Sequence, residues 1–251
     1  MITADDVVPS PTPPVPTDGA LPTARRIVAV CAHPDDESFG LGAVLAALTD
    51  ADVRVDTVCF THGEASTLHA TPGELGTVRV AELTEAATHL GVTRTEVLAY
   101  PDGRLGDQPL DELAGHVRRL AEATDADTLL VFDLGGITGH PDHQRATEAA
   151  LAAAAGGRFS ILAWAVPDTA ARALNAEFGT SFVGRSAADV DIVLSVDRRR
   201  QLASIHCHAS QSIDNRVLWR RLELQGDAEW LVWLQPARTK EKEHAATRGG
   251  R

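Results

Sequence analysis

Lysine is almost missing from this sequence: Lys240 and Lys242 stand alone near its end, and arginine carries the rest of the positive charge. Acidic residues outnumber basic ones by 35 to 23, a formal net charge of −12. A field of that sign does not favour nucleic acid or an anionic membrane as a partner. Cysteine is scarce as well. Cys31, Cys59 and Cys207 are odd in number and lack CxxC spacing, which excludes a disulfide framework and a cysteine-rich zinc site. Cys31 and Cys59 sit inside apolar, strand-like runs and read as buried thiols. No run approaches the ~18 apolar residues that span a bilayer. Residues 1–17 hold no Lys, no Arg and no apolar stretch, so they do not read as a secretory signal. These absences point to a soluble, cytoplasmic protein with no integral membrane segment.

What is present fits an α/β domain. The 251 residues are 44% hydrophobic and 23% charged, values of a globular chain long enough for one sizeable core. Residues 1–24, rich in proline, read as a disordered tail; 25–237 read as one domain; 238–251 read as a polar tail. Between the tails, strand and helix patterns alternate. Strands are predicted over 27–32, 53–60, 96–99, 128–133, 160–166, 190–196 and 229–234. Helices are predicted over 41–48, 110–121, 142–155 and 198–207. Another has Leu83, Ala86, Ala87 and Leu90 on one face, and Gly91 fits the position just past its end. This alternation implies a single Rossmann-like domain, a mostly parallel sheet flanked by helices. Such sheets bind ligands where strands lead into helices at their carboxyl ends.

Two of those loops carry chemistry. His33-Pro34-Asp35-Asp36-Glu37 follows the first strand, and Gly139-His140-Pro141-Asp142-His143 follows the strand that ends near Asp133. Each has a His-Pro-Asp core. Imidazole nitrogen and carboxylate oxygen suit a divalent metal such as zinc, and three protein ligands plus water make a catalytic geometry. Asp35 and Asp36 repel one another unless a cation neutralises one, which leaves the other free as a general base. An acidic helix start would explain the first loop alone. The second His-Pro-Asp core, after a second buried strand, shifts the weight to a metal site.

With those residues the chain resembles the PIG-L/LmbE-like superfamily of zinc-dependent N-deacetylases. The resemblance runs from about residue 27 to 211, and the paired motifs AHPDDESFG and GHPDH are its specific part. It implies His33, Asp36 and His143 as metal ligands, for zinc or ferrous iron. It implies Asp35 as general base, His140 as the cationic or acidic partner of the oxyanion, and Asp142 as the residue that orients and charges His140. Arg79 and Asp102 match positions that contact sugar hydroxyls. Glu37 would stand behind the ligands, and His208, in an HxSQ segment, would approach the site. One departure is Thr138, where some sugar deacetylases of the family carry a tyrosine. The implied reaction is hydrolysis of an N-acetyl group from a small-molecule amino sugar or glycoconjugate. An amidase for a larger N-acyl conjugate is the near alternative, and a non-catalytic ligand-binding α/β protein the distant one. The sequence leaves the oligomeric state open.

Other features read as structure. Gly40-Leu41-Gly42 suits close helix packing better than a dinucleotide site, because Leu45 occupies the third glycine position. His206, Cys207 and His208 project to different sides of a helix, which disfavours joint ligation. His62 reads as a solvated loop residue. Trp219, Trp230 and Trp233 read as core or edge packing rather than a sugar platform. Arg198-Arg199-Arg200 reads as a solvated charge run.

Overall fold

The computed structural model describes residues 19–68 and 74–235. The expected C-terminal tail and most of the N-terminal one lie outside these residues. Residues 19–24 run beside a strand, where Leu21 packs with Leu194 and Val196.

The elements in chain order are β1 (Arg26–Cys31), α1 (Asp36–Phe39), α2 (Gly42–Asp50), β2 (Arg54–Thr61), α3 (Leu75–Leu90), β3 (Arg94–Tyr100), α4 (Leu110–Ala123) and β4 (Thr128–Phe132). Then come a tight turn α5 (Gly136–Gly139), α6 (Pro141–Ala153), β5 (Ser160–Pro167), α7 (Asp168–Phe178), β6 (Gly184–Arg185) and β7 (Ile192–Ser195). The chain closes with α8 (Arg199–Cys207), the single turn α9 (Ala209–Ser212), α10 (Arg216–Gln225) and β8 (Ala228–Gln235). Helices α7 and α10 and the two-residue β6 add to the predicted set.

The strands form one sheet in the order β3-β2-β1-β4-β5-β8-β7, with β6 beside β5. From β3 to β5 every pairing is parallel, whereas β8 runs antiparallel to both β5 and β7. Successive strand residues face opposite sides. Ile27, Ala29 and Cys31 therefore join Leu45, Leu48 and Leu83 in one core layer, while Val28 and Val30 join Leu113, Val117 and Ala149 in the other. Burial on both faces explains why β1, β4 and β5 are unbroken apolar runs. The predicted end of α3 holds: Gly91 takes φ 71, ψ 21 and caps the helix. Gly40 meets a second steric limit, since a Cβ there would lie 2.4 Å from a Phe132 ring carbon. No helix among the described residues is long and apolar enough to cross a membrane.

One expectation is overturned at the start of α8. Arg198 is 9% exposed rather than solvated. Its guanidinium donates to the fully buried Glu229, which also accepts from the Trp164 indole N–H. Burial of Glu229 in β8 draws the arginine inward, because a buried carboxylate requires a partner. Arg199 stays at the surface with Asp197. Truncation by Glu229→Ala is expected to destabilise the fold by about 3–5 kcal/mol, because it strands the Arg198 charge. Urea denaturation checks this, with Glu229→Gln as the milder comparison.

Candidate metal centre and pocket

Two loops leave the carboxyl ends of β1 and β4, the adjacent strands at which the sheet order reverses. In the first, Asp36 folds back on its own strand, and its Oδ2 accepts from the Ala32 and His33 amides at 2.8 and 2.9 Å. Asp35 takes φ 131, ψ −23, a region that L-residues rarely adopt. Its surroundings impose this. The Asp35 amide donates to Glu37 Oε2 at 3.0 Å, and Arg79 Nη2 donates to Asp35 Oδ2 at 2.9 Å and to the Pro34 carbonyl at 2.6 Å. Arg79 arrives from α3 with 3% exposure, and its Nη1 reaches the Gly63 carbonyl at 2.6 Å. Gly63 has φ 66, and a Cβ there would fall 2.1 Å from that nitrogen, so only glycine leaves room for the arginine. Glu37 is fully buried, and its other oxygen meets Ser38 Oγ at 2.5 Å and His208 Nε2 at 2.6 Å.

The second loop is shaped by Ile137 at φ 65, ψ −61, an unusual backbone for a β-branched residue. His143 Nδ1 lies 3.1 Å from the Gly136 carbonyl. A carbonyl only accepts, so Nδ1 carries the hydrogen and the Nε2 lone pair is free. That Nε2 stands 3.2 Å from His33 Nδ1 and 3.1 Å from Asp36 Oδ1, and His33 Nδ1 is 3.9 Å from Asp36 Oδ2. The far side of the His33 ring is anchored in turn: Nε2 lies 3.0 Å from Asp102 Oδ1 and 3.3 Å from Asp142 Oδ2.

These donors suit a metal. Tetrahedral zinc with bonds of ~2.0–2.1 Å would separate its ligand atoms by roughly 3.3 Å, and the spacings bracket that value. Each imidazole presents one nitrogen to the gap and binds protein with the other, as metal-ligating histidines do. Asp35, Asp36, Asp102 and Asp142 crowd the gap, with Arg79 hydrogen-bonded to one of them.

The local charges follow from this crowding. Burial disfavours a charged His33, yet its hydrogen bonds to Asp102 and Asp142, with Asp36 nearby, push its pKa up to about 10. Burial also opposes ionisation of Asp36, but the neighbouring imidazoles of His143 and His33 hold it well below the usual carboxylate range. Asp35 goes the other way. Burial raises it to about 6, against the pull of Arg79. His140 lies below its ordinary value through burial and the neighbouring imidazoles His143 and His33. In the metal-free protein, protonated His33 contributes stability that is full below about 6.5 and lost as pH rises through about 10. A metal ion competes with that proton. Apparent affinity is therefore expected to climb up to about tenfold per pH unit below about 10, with proton release on binding. Calorimetry in buffers of different ionisation enthalpy checks it.

Several residues sit differently from expectation. The Asp142 carboxylate does not bond His140. It accepts from the Gly103 and Leu105 amides at 2.8 and 3.1 Å and faces His33. The His140 ring instead accepts from the Asp142 amide at 3.2 Å, capping α6. That places its hydrogen on Nε2 and makes it a neutral donor rather than a cation. Arg79 and Asp102 both border the pocket, but the protein's own groups occupy them: Arg79 holds Asp35, and Asp102 spans His33 and the Ala65 amide. His62 is half-buried and packs on Gly76 away from this pocket.

A cavity of about 550 Å³ opens over the cluster. Its apolar wall went unread in the sequence. Phe132 touches His143 with ring centres 4.9 Å apart and Trp164 at 5.4 Å, and Arg221 lies 5.1 Å over Trp164. Phe182, Val217 and Leu218 complete that wall, and Thr138 borders it. Of the four tryptophans, Trp164 is the one that lines the cavity. It stood in an unbroken apolar run with no alternation to reveal its face.

Fold and loops together define a class: a Rossmann-like α/β domain that gathers two histidines and an aspartate at the switch point of its sheet. The chain belongs to the PIG-L family, since the GlcNAc-PI de-N-acetylase family model matches residues 28–154. It is similar to the 1D-myo-inositol 2-acetamido-2-deoxy-alpha-D-glucopyranoside deacetylase of Salinispora arenicola, 31% identical over 242 residues, covering 78% of this chain and 79% of that one. The namesake deacetylase of Streptomyces avermitilis is 35% identical over 155 residues, 52% of this chain and 53% of the relative. The chain thus spans about half the length of that relative. Among solved structures, N,N'-diacetylchitobiose deacetylase from Pyrococcus horikoshii superposes with a TM-score of 0.63 at 21% identity, over 85% of each chain.

Proposed function

We propose that this chain is a metal-dependent N-deacetylase that hydrolyses the acetamide of an N-acetylglucosamine-type amino sugar. The observation that carries the reading is the convergence of His33 Nδ1, Asp36 Oδ1 and His143 Nε2 beside Asp35 and His140 in one cavity. The family match and the names of the relatives support the substrate class. The partner would be a small-molecule glycoconjugate met in the cytoplasm.

Zinc, or ferrous iron in its place, held by His33, Asp36 and His143, would polarise the amide carbonyl and strengthen water as a nucleophile. Asp35 takes the proton as the water oxygen adds to the carbonyl carbon. Burial raises this carboxyl in the metal-free protein, which favours a base that can also give the proton back. Arg79 fixes which way that carboxylate points. Charge gathers on the carbonyl oxygen, where the neutral Nε2–H of His140 can donate. The C–N bond then breaks as the nitrogen receives the proton from Asp35, releasing acetate and a free amine. Glu37, fixed by His208, holds the Asp35 amide and so the turn that aims the base.

The apolar wall favours a second reading, in which the acyl group or aglycone is larger than acetyl and lies along Phe132, Trp164 and Phe182. Amine release from a panel of N-acetylglucosaminides and longer N-acyl conjugates, with metal-loaded and chelated protein, tests both. Metal-dependent release from the acetylated members supports the first reading, and preference for the longer acyl members supports the second. No release from any member by metal-replete protein would count against both.

A further inference from the structure

A second group of metal-binding side chains lies outside the pocket, where α3 packs along α8. Glu85 and His89 are one turn apart on α3 and share a face. Cys207, the last residue of α8, meets them. One oxygen, one nitrogen and one sulfur from the three residues all lie within 4.8 Å of each other. Glu85 and His89 are exposed and Cys207 is half-buried. The run His206-Cys207-His208 divides among three directions, which makes this meeting possible. His206 lies against Trp219 at a tilt, His208 turns inward to Glu37, and Cys207 faces α3.

We propose that Glu85, His89 and Cys207 form a separate site for a zinc-class divalent cation that clamps α3 to the end of α8. A thiolate, an imidazole and a carboxylate are a donor set for zinc or cobalt; magnesium and calcium take oxygen alone. The i, i+4 pair supplies two ligands from one rigid element, and the third comes from a neighbouring helix at short range. Burial and the carboxylates of Glu85, Glu37 and Glu82 keep the Cys207 thiol protonated on its own, and a cation would relieve that repulsion by displacing the proton. Three protein donors leave room for water as the fourth ligand.

The clamp would act on the scaffold of the catalytic loop. Helix α3 carries Arg79, which holds Asp35, and also Glu82, which already binds Ser210 beyond α8. The residue after Cys207 is His208, which holds Glu37. A cation at the outer face would thus tie together the two elements that brace the first loop from behind.

Cobalt titration of the full chain separates this site from the pocket. The pocket cluster has no sulfur, and Cys31 and Cys59 are sealed in β1 and β2 at 1% and 0% exposure. A thiolate-to-cobalt charge-transfer band therefore reports Cys207. The band is expected to grow in a saturable step, to vanish in Cys207→Ser, and to need at least about tenfold more cobalt in His89→Ala. It is expected to persist in His143→Ala, which disables the pocket cluster. Circular dichroism of each surface variant establishes that it is folded. No band in the wild type, or a band of unchanged affinity in folded His89→Ala, overturns the proposal. The outcome is independent of whether the pocket is a deacetylase.

Discussion

Asp35→Asn is expected to lower kcat by about 10²–10⁴-fold, the usual contribution of a positioned base, while bound metal and fold are retained. Asparagine suits the test for two reasons. It is isosteric with aspartate, so it bears the same backbone conformation at φ 131 that Asp35 already bears. Its side-chain oxygen can still accept from Arg79 Nη2, which now meets Asp35 at 2.9 Å. Proton acceptance and the negative charge are removed while the contact to Arg79 stays. Steady-state kinetics with metal analysis of the same sample decides the matter. Turnover near wild type in the metal-replete variant would take Asp35 out of the base role. Arg79→Lys is the informative companion, because a lysine cannot reach the Gly63, Pro34 and Asp35 oxygens together.

His143→Ala is expected to cut metal affinity by more than about 100-fold, beyond the loss typical of altering a residue behind the ligands. The imidazole supplies the nitrogen 3.1 Å from Asp36 Oδ1 and 3.2 Å from His33 Nδ1. It also depresses the Asp36 pKa. Without it Asp36 becomes a poorer anion and the site drops to two donors. His140→Ala makes the contrast. That ring also lies in the cluster, 4.8 Å from both His33 and His143 between centres, but its Nδ1 is occupied by the Asp142 amide. It should keep metal and lose rate. Chelator competition on the two variants separates them; equal metal loss in both would dissolve the distinction between holding a metal and donating to an oxyanion.

In the parallel half of this fold β1, β4 and β5 were legible because they are buried on both faces and written as unbroken apolar runs. The α4 face was legible for the complementary reason: Leu113, Ala114, Val117, Leu120 and Ala121 repeat at helical spacing, and all five are buried. Helix α10 was not. Its buried side is Leu218, Arg221, Leu222 and Gln225, so charge and amide interrupt the apolar stripe. The insertion of β8 between β5 and β7 was hidden as well, since strand order is a non-local choice that local patterns do not record. At the site the paired His-Pro-Asp motifs exposed the residues that converge. They could not reveal which side of each ring faces which neighbour. That is why the motifs pair Asp142 with His140 although its carboxylate meets His33, and why they are silent on Asp102 bracing the same ring.

Asp35 occupies a backbone region that only glycine adopts freely, at a cost on the order of 1–3 kcal/mol that the rest of the loop must offset. The strain and the ion pair at this residue oppose one another. Glycine would relieve the backbone but strand the Arg79 guanidinium, which is 3% exposed and would keep only the Gly63 and Pro34 carbonyls. The turn is held by the same contact that aims its carboxylate, so an easier residue here would loosen the loop that carries the base.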